Sequence, residues 1–160
     1  MIAAWILSIP WREIQKVSKK FDINPKIIAS IVMQESGGDA CATRYENHYR
    51  WLLNPEVYAV KNRITVETET MQQKTSWGLM QIMGGVAREL GYEGPLVGLC
   101  RPEINLHYGI KKLLQLKGKY SENLNDVFAA YNAGSVRKDD SGAYVNNHYV
   151  TGVNSYLRQL

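Results

Sequence analysis

Apolar residues recur along this chain at helical rather than alternating spacing, and the breaks between runs fall at Pro, Gly and Asn. Ile14, Val17 and Phe21 predict a first helix from about Pro10 to Phe21, closed by a turn at Asp22, Ile23 and Asn24. The second helix has the clearest start, because Asn24 can cap the free amides and Pro25 takes the first helical position, where its missing N–H costs nothing. Gly37 and Gly38 stop it. Ile27, Ile28, Ile31 and Val32 cover most of its circumference, which predicts the buried centre of the fold. Residues 39–76 are less regular. An aromatic-rich stretch, 44–51, precedes Asn54-Pro55 and a polar run, so the middle is expected to be loop. Val60, Ile64, Val66 and Thr68 invite a small hairpin within residues 57–69. Residues 78–83 and 86–90 then read as short helices separated by Gly84-Gly85, and Pro102 opens a longer helix to about Leu116. After a link over 117–123, residues 126–133 form a helix stopped by Gly134, and a last one covers about 143–157. No repeat is present, and the class is mainly α with at most a minor sheet.

At 160 residues and 18.2 kDa, one domain spanning 1–160 is expected. Hydrophobic residues at 45% against 21% charged exclude a disordered or low-complexity chain. The longest apolar run, residues 1–11, is broken by Ser8 and Pro10 and falls short of the roughly 18 to 20 residues of a membrane span. It also lacks a basic residue before its apolar part and a small-x-small site after Trp11, so it reads as mature protein with no recognisable signal peptide. The net charge of +4 is spread along the chain, which suits a polyanionic surface such as nucleic acid or a bacterial wall, and equally suits solvated helix faces. Cys41 and Cys100 lack redox or metal spacing. A disulfide between them would close a long loop and stabilise by about 4 kcal/mol. Two free thiols would fit a reducing compartment. His48, His107 and His148 show no ligand spacing, and neither metal nor cofactor is expected.

One carboxylate stands out. Glu35 ends the most apolar helix, where desolvation and the helix's negative pole both favour its protonated form. A carboxylic acid neutral near neutral pH can protonate a glycosidic oxygen. The competing reading has Glu35 facing water or capping a neighbouring helix. In the stretch 75–83, Gly78 permits close backbone approach, Gln81 offers an amide and Trp77 an indole on which a sugar can stack. Leu79, Ile82 and Met83 serve equally as core residues. In Ala129-Ala130-Tyr131-Asn132-Ala133-Gly134, Tyr131 can donate to a carboxylate and Asn132 can hold a substrate amide, although Ala-rich helix ends with a Gly stop are common.

Taken in order, Glu35-Ser36, then Gly78-Leu79-Met80-Gln81-Ile82, then residues 129–134 resemble the three motifs of the soluble lytic transglycosylases, whose fold is similar to goose-type lysozyme. Leu99, Pro102, Asn105 and Gly109 match that family's stretch between its second and third motifs, and Tyr149, Val150, Val153 and Tyr156 its closing helix. The details around 35–51 and 75–81 resemble the branch found in phage and prophage wall-degrading proteins. The resemblance implies a mainly α, lysozyme-like domain that cleaves the β-1,4 bond between N-acetylmuramic acid and N-acetylglucosamine, leaving 1,6-anhydromuramyl ends. By the same likeness Glu35 is the acid and base, Ser36 supports it and Tyr131 orients it. Gly78, Leu79, Met80, Gln81, Tyr131, Asn132 and Tyr149 would line the glycan site. The implied partner is the peptidoglycan strand, met at the bacterial wall by a periplasmic, secreted or phage-delivered protein, with no nucleic acid and as a monomer.

Two departures matter. Met83-Gly84-Gly85 follows the second motif where the family commonly has proline, and the interval from Glu35 to Gly78 is long. It contains Glu46, which as a second carboxylate would turn the reaction toward hydrolysis, as in muramidases, or would simply pair with Arg44 or Arg50. A catalytically silent glycan-binding or virion structural module is the alternative from another class, and it would be expected to lose its acid.

Overall fold

The computed structural model describes residues 4–121 and 123–160. Residues 1–3 of the opening apolar run and Glu122 of the link over 117–123 lie outside them. A 3-10 turn, Ala4–Ser8, leads into α1 (Trp11–Lys20) and α2 (Pro25–Ser36). Next come β1 (Thr43–Tyr45), α3 (Pro55–Asn62), α4 (Val66–Gln73), β2 (Thr75–Trp77), β3 (Ile82–Met83) and α5 (Gly84–Glu89). A 3-10 turn, Leu96–Cys100, precedes α6 (Pro102–Tyr120), α7 (Leu124–Ala133) and α8 (Asn147–Arg158). The fold is mainly helical and lysozyme-like, with one three-stranded antiparallel sheet in the order β1-β2-β3.

Helix α2 forms as its sequence predicts. The Asn24 side chain accepts the Lys26 N–H, Pro25 starts the helix, and Gly37, in the left-handed conformation at φ +62°, ends it by donating its N–H to Met33 O. Its apolar surface packs against α8 and α1, and Ile28, Ile31 and Val32 are wholly buried. With Leu106 and Ile110 of α6, Phe128 of α7 and Val153 of α8 they fill a large helical lobe. A smaller cluster, Trp77, Ile82, Ala87, Leu90, Leu96 and Leu99, fills a second lobe that includes the sheet and α5.

The hairpin expected within 57–69 is two helices instead. Of the β-branched residues that suggested it, Val60 is exposed on α3 and Val66 on α4, while Ile64 and Thr68 are half-buried. What α4 buries is polar, namely Glu69 and Gln73, one turn apart. Thr65 caps α4 by accepting the Thr68 N–H at 3.1 Å. Arg88 of α5 reaches this face and forms a two-pronged pair with Glu69, with Nε to Oε1 at 2.8 Å and Nη2 to Oε2 at 2.9 Å. Both side chains are sealed from water. Arg88 Nη1 also donates to the carbonyls of Tyr92 and Gly94, at 2.8 and 2.7 Å. Gln73 donates to Glu69 and exchanges hydrogen bonds with the backbone of Leu53. A search for apolar periodicity finds no helix here because the buried stripe is not apolar.

The helix expected over 78–83 is also absent, because Gly78 (φ +66°) and Gln81 (φ +44°) turn the chain between β2 and β3. A side chain at Gly78 would meet Asn105 Nδ2 at 2.5 Å and Leu99 O at 2.7 Å, so only glycine fits. The other helices begin or end within a few residues of expectation, except that α5 starts on Gly84 rather than after Gly85. Cys41 and Cys100 are neighbouring free thiols. Among the described residues no helix is long and apolar enough to cross a membrane.

Removing Arg88 would strand the Glu69 carboxylate. Arg88→Met should therefore cost about 3 to 5 kcal/mol in urea unfolding, and an unchanged midpoint would show that the pair does not hold this lobe.

Candidate active site

The apolar surface of α2 carries the helix into the core, so its last turn delivers Glu35 to the edge of the large lobe with little water around it. Packing of α8 on α2 brings up Tyr149, whose hydroxyl donates to Glu35 Oε1 at 2.6 Å. Glu35 Oε2 has no hydrogen-bond partner among the described residues and is not sealed from solvent. Burial pushes the Glu35 pKa above its ordinary 4.5, against the opposing influence of the Tyr149 hydroxyl and the charges of Lys112 and Arg44. The Tyr149 pKa is raised well above its own ordinary value by burial and then by Glu35, so this hydroxyl stays a donor.

Lys112, on α6, donates to Tyr131 O at 2.8 Å and lies 4.1 Å from the centre of the Tyr131 ring. Burial lowers its pKa to about 8, with Glu35 pulling the other way. The result is a cation of adjustable charge near the buried carboxyl.

The Gly78–Gln81 turn is fastened to this helix end from several sides. Ser36 Oγ lies 2.9 Å from Leu79 O and accepts the Gly38 N–H at 3.2 Å. Tyr131 Oη donates to Met80 O at 2.8 Å, while Asn105 accepts the Met80 N–H and donates to the carbonyls of Trp77 and Leu99. Gln81 spends its amide within the turn, donating to Ala42 O and Gly78 O and accepting from Ser76 Oγ.

A cleft of about 860 Å³ opens between the lobes. The large lobe lines it with Lys112, Tyr131, Asn132 and Arg137, and the small lobe with Met83, Val86 and Glu89. The stretch after α2 adds Arg44, Glu46, Tyr49 and Trp51. Glu35 lies off this lining but is coupled to groups that belong to it: burial and then the Glu35 charge raise the Tyr131 pKa, and Lys112 and Arg44 act on that of Glu35.

Several residues sit differently from expectation. Leu79 and Met80 are fully buried and present no side chain to the cleft; Met80 packs on Gly109. Gly78 and Gln81 shape the turn rather than line the cleft. Trp77 is buried with its indole N–H on Gln72 O, so no sugar can stack there. Tyr131 bonds Met80 O, whereas the hydroxyl on Glu35 is that of Tyr149, expected as a substrate residue. Asn132 lines the cleft with its Oδ1 taken by Asn146 at 2.9 Å. Glu46 both lines the cleft and pairs with Arg44 at 2.5 Å. Sequence reasoning missed Lys112 and Glu89. A lysine that follows another, Lys111, gives no local sign of burial, and Glu89 is marked only by following Arg88, which α5 turns inward. Among the described residues no group of three or more His, Cys, Asp or Glu is placed to hold a metal ion.

The raised Glu35 pKa ties stability to pH. The unfolded carboxyl ionises at its ordinary value while the folded one keeps its proton, so stability is full below that value and is lost as pH rises through the folded one. Glu35→Gln removes this loss. Its thermal midpoint should gain on wild type as pH rises above the ordinary carboxylate value, and a constant difference would show an unperturbed carboxyl. Tyr149→Phe removes the chief influence favouring the anion and should move the Glu35 titration further upward in carboxyl NMR.

Residues 12–149 match the family model described as Transglycosylase SLT domain. That match takes in most of the chain, including Glu35, the Gly78 turn, Tyr131 and Tyr149, and the protein therefore belongs to the transglycosylase SLT family.

Proposed function

We propose that the transglycosylase-type cleavage of glycosidic bonds in peptidoglycan carried by this family is performed here with Glu35 as acid and base, acting on the β-1,4 bond between N-acetylmuramic acid and N-acetylglucosamine. The observation that carries this is a part-buried carboxyl with a raised pKa, held at one oxygen by Tyr149 and open at the other. The protonated carboxyl gives its proton to the glycosidic oxygen as the bond from the muramyl C1 breaks. The N-acetyl oxygen of the same sugar bonds to C1 in its place. Glu35, now an anion steadied by Tyr149 and Lys112, takes the proton of the muramyl 6-hydroxyl, whose oxygen displaces the N-acetyl oxygen from C1. A 1,6-anhydromuramyl end forms, the acid is restored, and no water is consumed.

Ser36 and Tyr131 support the acid indirectly, by fixing the turn that packs against the end of α2. Asn132 is proposed to meet substrate at the rim of the cleft. The place of action is the bacterial wall, reached by export or by phage delivery, and the residues around 35–51 and 75–81 support the phage-associated reading.

Hydrolysis is a second reading, favoured by the two further carboxylates in the cleft, Glu46 and Glu89. Glu46 is tied to Arg44, while Glu89 forms no ion pair among the described residues.

Mass spectrometry of the muropeptides released from purified peptidoglycan separates the readings. Anhydromuramyl ends are expected, and kcat should fall by about 100 to 10,000-fold in Glu35→Gln, which keeps the shape but cannot supply a proton. Near wild-type turnover in that variant would remove Glu35 from the mechanism. Reducing ends, lost in Glu46→Gln or Glu89→Gln, would establish hydrolysis, and no release at all would leave a silent binding module.

A further inference from the structure

Proton transfer at Glu35 makes no use of the cleft wall built by the chain between β1 and α3. There the Trp51 side chain is 65% exposed and lines the cleft beside Tyr49, the two rings meeting edge to face with centroids 5.4 Å apart. A lone exposed apolar side chain is ordinary. This one differs in how it is held and in what surrounds it.

The backbone that carries Trp51 is fastened at both ends. Glu46 donates its N–H to Lys74 O at 2.8 Å and its own carbonyl accepts from Tyr49 at 3.0 Å. Beyond Trp51, the Leu53 N–H and carbonyl are both taken by the Gln73 amide, at 2.8 and 3.0 Å, and Gln73 is anchored in turn on the buried Glu69–Arg88 pair. Tyr49 and the Trp51 carbonyl lie directly over Gly85, where a side chain would come within 3.0 Å of the Tyr49 hydroxyl and 2.6 Å of Trp51 O. The aromatic pair is thus set in place before any ligand arrives, so little ordering is left to oppose binding.

The other indoles are committed elsewhere. Trp5 donates to Gln159 at 3.1 Å, Trp77 is buried and donates to Gln72 O at 3.0 Å, and Trp11 packs on the large core. Trp51 Nε1 makes no hydrogen bond among the described residues. An open indole face with polar neighbours Arg44, Glu46 and Glu89 on the same cleft has the chemistry that a pyranose ring presents in reverse. One face of the sugar is a patch of C–H groups that packs on an aromatic surface, and its rim is a ring of hydroxyls and an amide seeking charged and polar partners.

We propose that Trp51 is the stacking platform of a saccharide subsite in the cleft, taking an N-acetylhexosamine unit of the glycan strand, with Tyr49 as its back wall. The subsite rests on the glycan-cleaving function assigned above and adds to it a second point of attachment. It also replaces Trp77 as the sugar-facing indole.

The test uses the Glu35→Gln protein, so that ligand binding is followed without turnover. Titration with the hexamer of β-1,4-linked N-acetylglucosamine should change the indole emission of Glu35→Gln, and the change should vanish when Trp51→Phe is added, because the reporting indole is gone. Calorimetry of the same titration should show affinity weakened roughly tenfold by adding Trp51→Ala and less by Trp51→Phe, which keeps an aromatic face. In the Glu35 protein, Trp51→Ala should act on peptidoglycan mainly through KM. No hexamer binding by the Glu35→Gln protein, equal affinity with and without Trp51→Ala, or an emission change that survives Trp51→Phe would each overturn the subsite. Turnover of peptidoglycan by Glu35→Gln would instead overturn the assignment of Glu35, and the titrations would still decide the subsite.

Discussion

A carboxyl group stripped of most of its water at the negative end of a helix is the constraint around which this molecule is arranged. Left alone, Glu35 would hold its proton too tightly to release it, and exposed, it would ionise like any surface glutamate. The fold sets it between these limits. Burial comes from the apolar surface of α2, and the counterweights come from Tyr149 on α8 and Lys112 on α6. Neither helix can shift without changing the acidity of Glu35, so the packing of the large lobe and the chemistry of the site are one problem.

The turn after β2 extends the same arrangement. Its residues give the cleft little side-chain surface, yet Ser36, Tyr131 and Asn105 all bond to its backbone. Conserving the shape of that turn fixes the distance between the end of α2 and the small lobe. The lobes divide the site accordingly: the large lobe tunes the Glu35 carboxyl, and the small lobe supplies a facing wall of the cleft.

What could be read from the sequence was what depends on neighbours in the chain. Helix α2 was legible to within a residue because its cap, its proline and its glycine stop are all local signals. The desolvated carboxyl was legible for the same reason, since Glu35 follows directly from the apolar run before it. Helices α3 and α4 were not, because they bury Glu69 and Gln73 and display valines, and no periodicity rule anticipates an arginine as the centre of a core. The turn at Gly78 looked helical because Leu79, Met80 and Ile82 are apolar, and only contact with Asn105, far along the chain, decides otherwise. Trp77, expected to face a sugar, is buried for a similar reason, while Trp51 is exposed: which indole faces water depends on what packs over it. The hydroxyl on Glu35 belongs to a residue 114 positions away, beyond the reach of spacing arguments.

That separation has a consequence for how the site is held together. The polar network of the small lobe joins residues 53, 69, 73, 88 and 94, so every group it needs precedes α6 in the chain. Glu35 lies early in the chain, but its hydroxyl partner belongs to the final helix, and α2 has no full cover until α8 docks on it. The wall is therefore held by near neighbours in sequence, and the Glu35 carboxyl by a distant one. Without α8 in place, Glu35 lacks its hydroxyl donor and α2 lacks its most extensive helical neighbour, so the raised pKa of this carboxyl is a property of the assembled lobe and not of the segment that carries it.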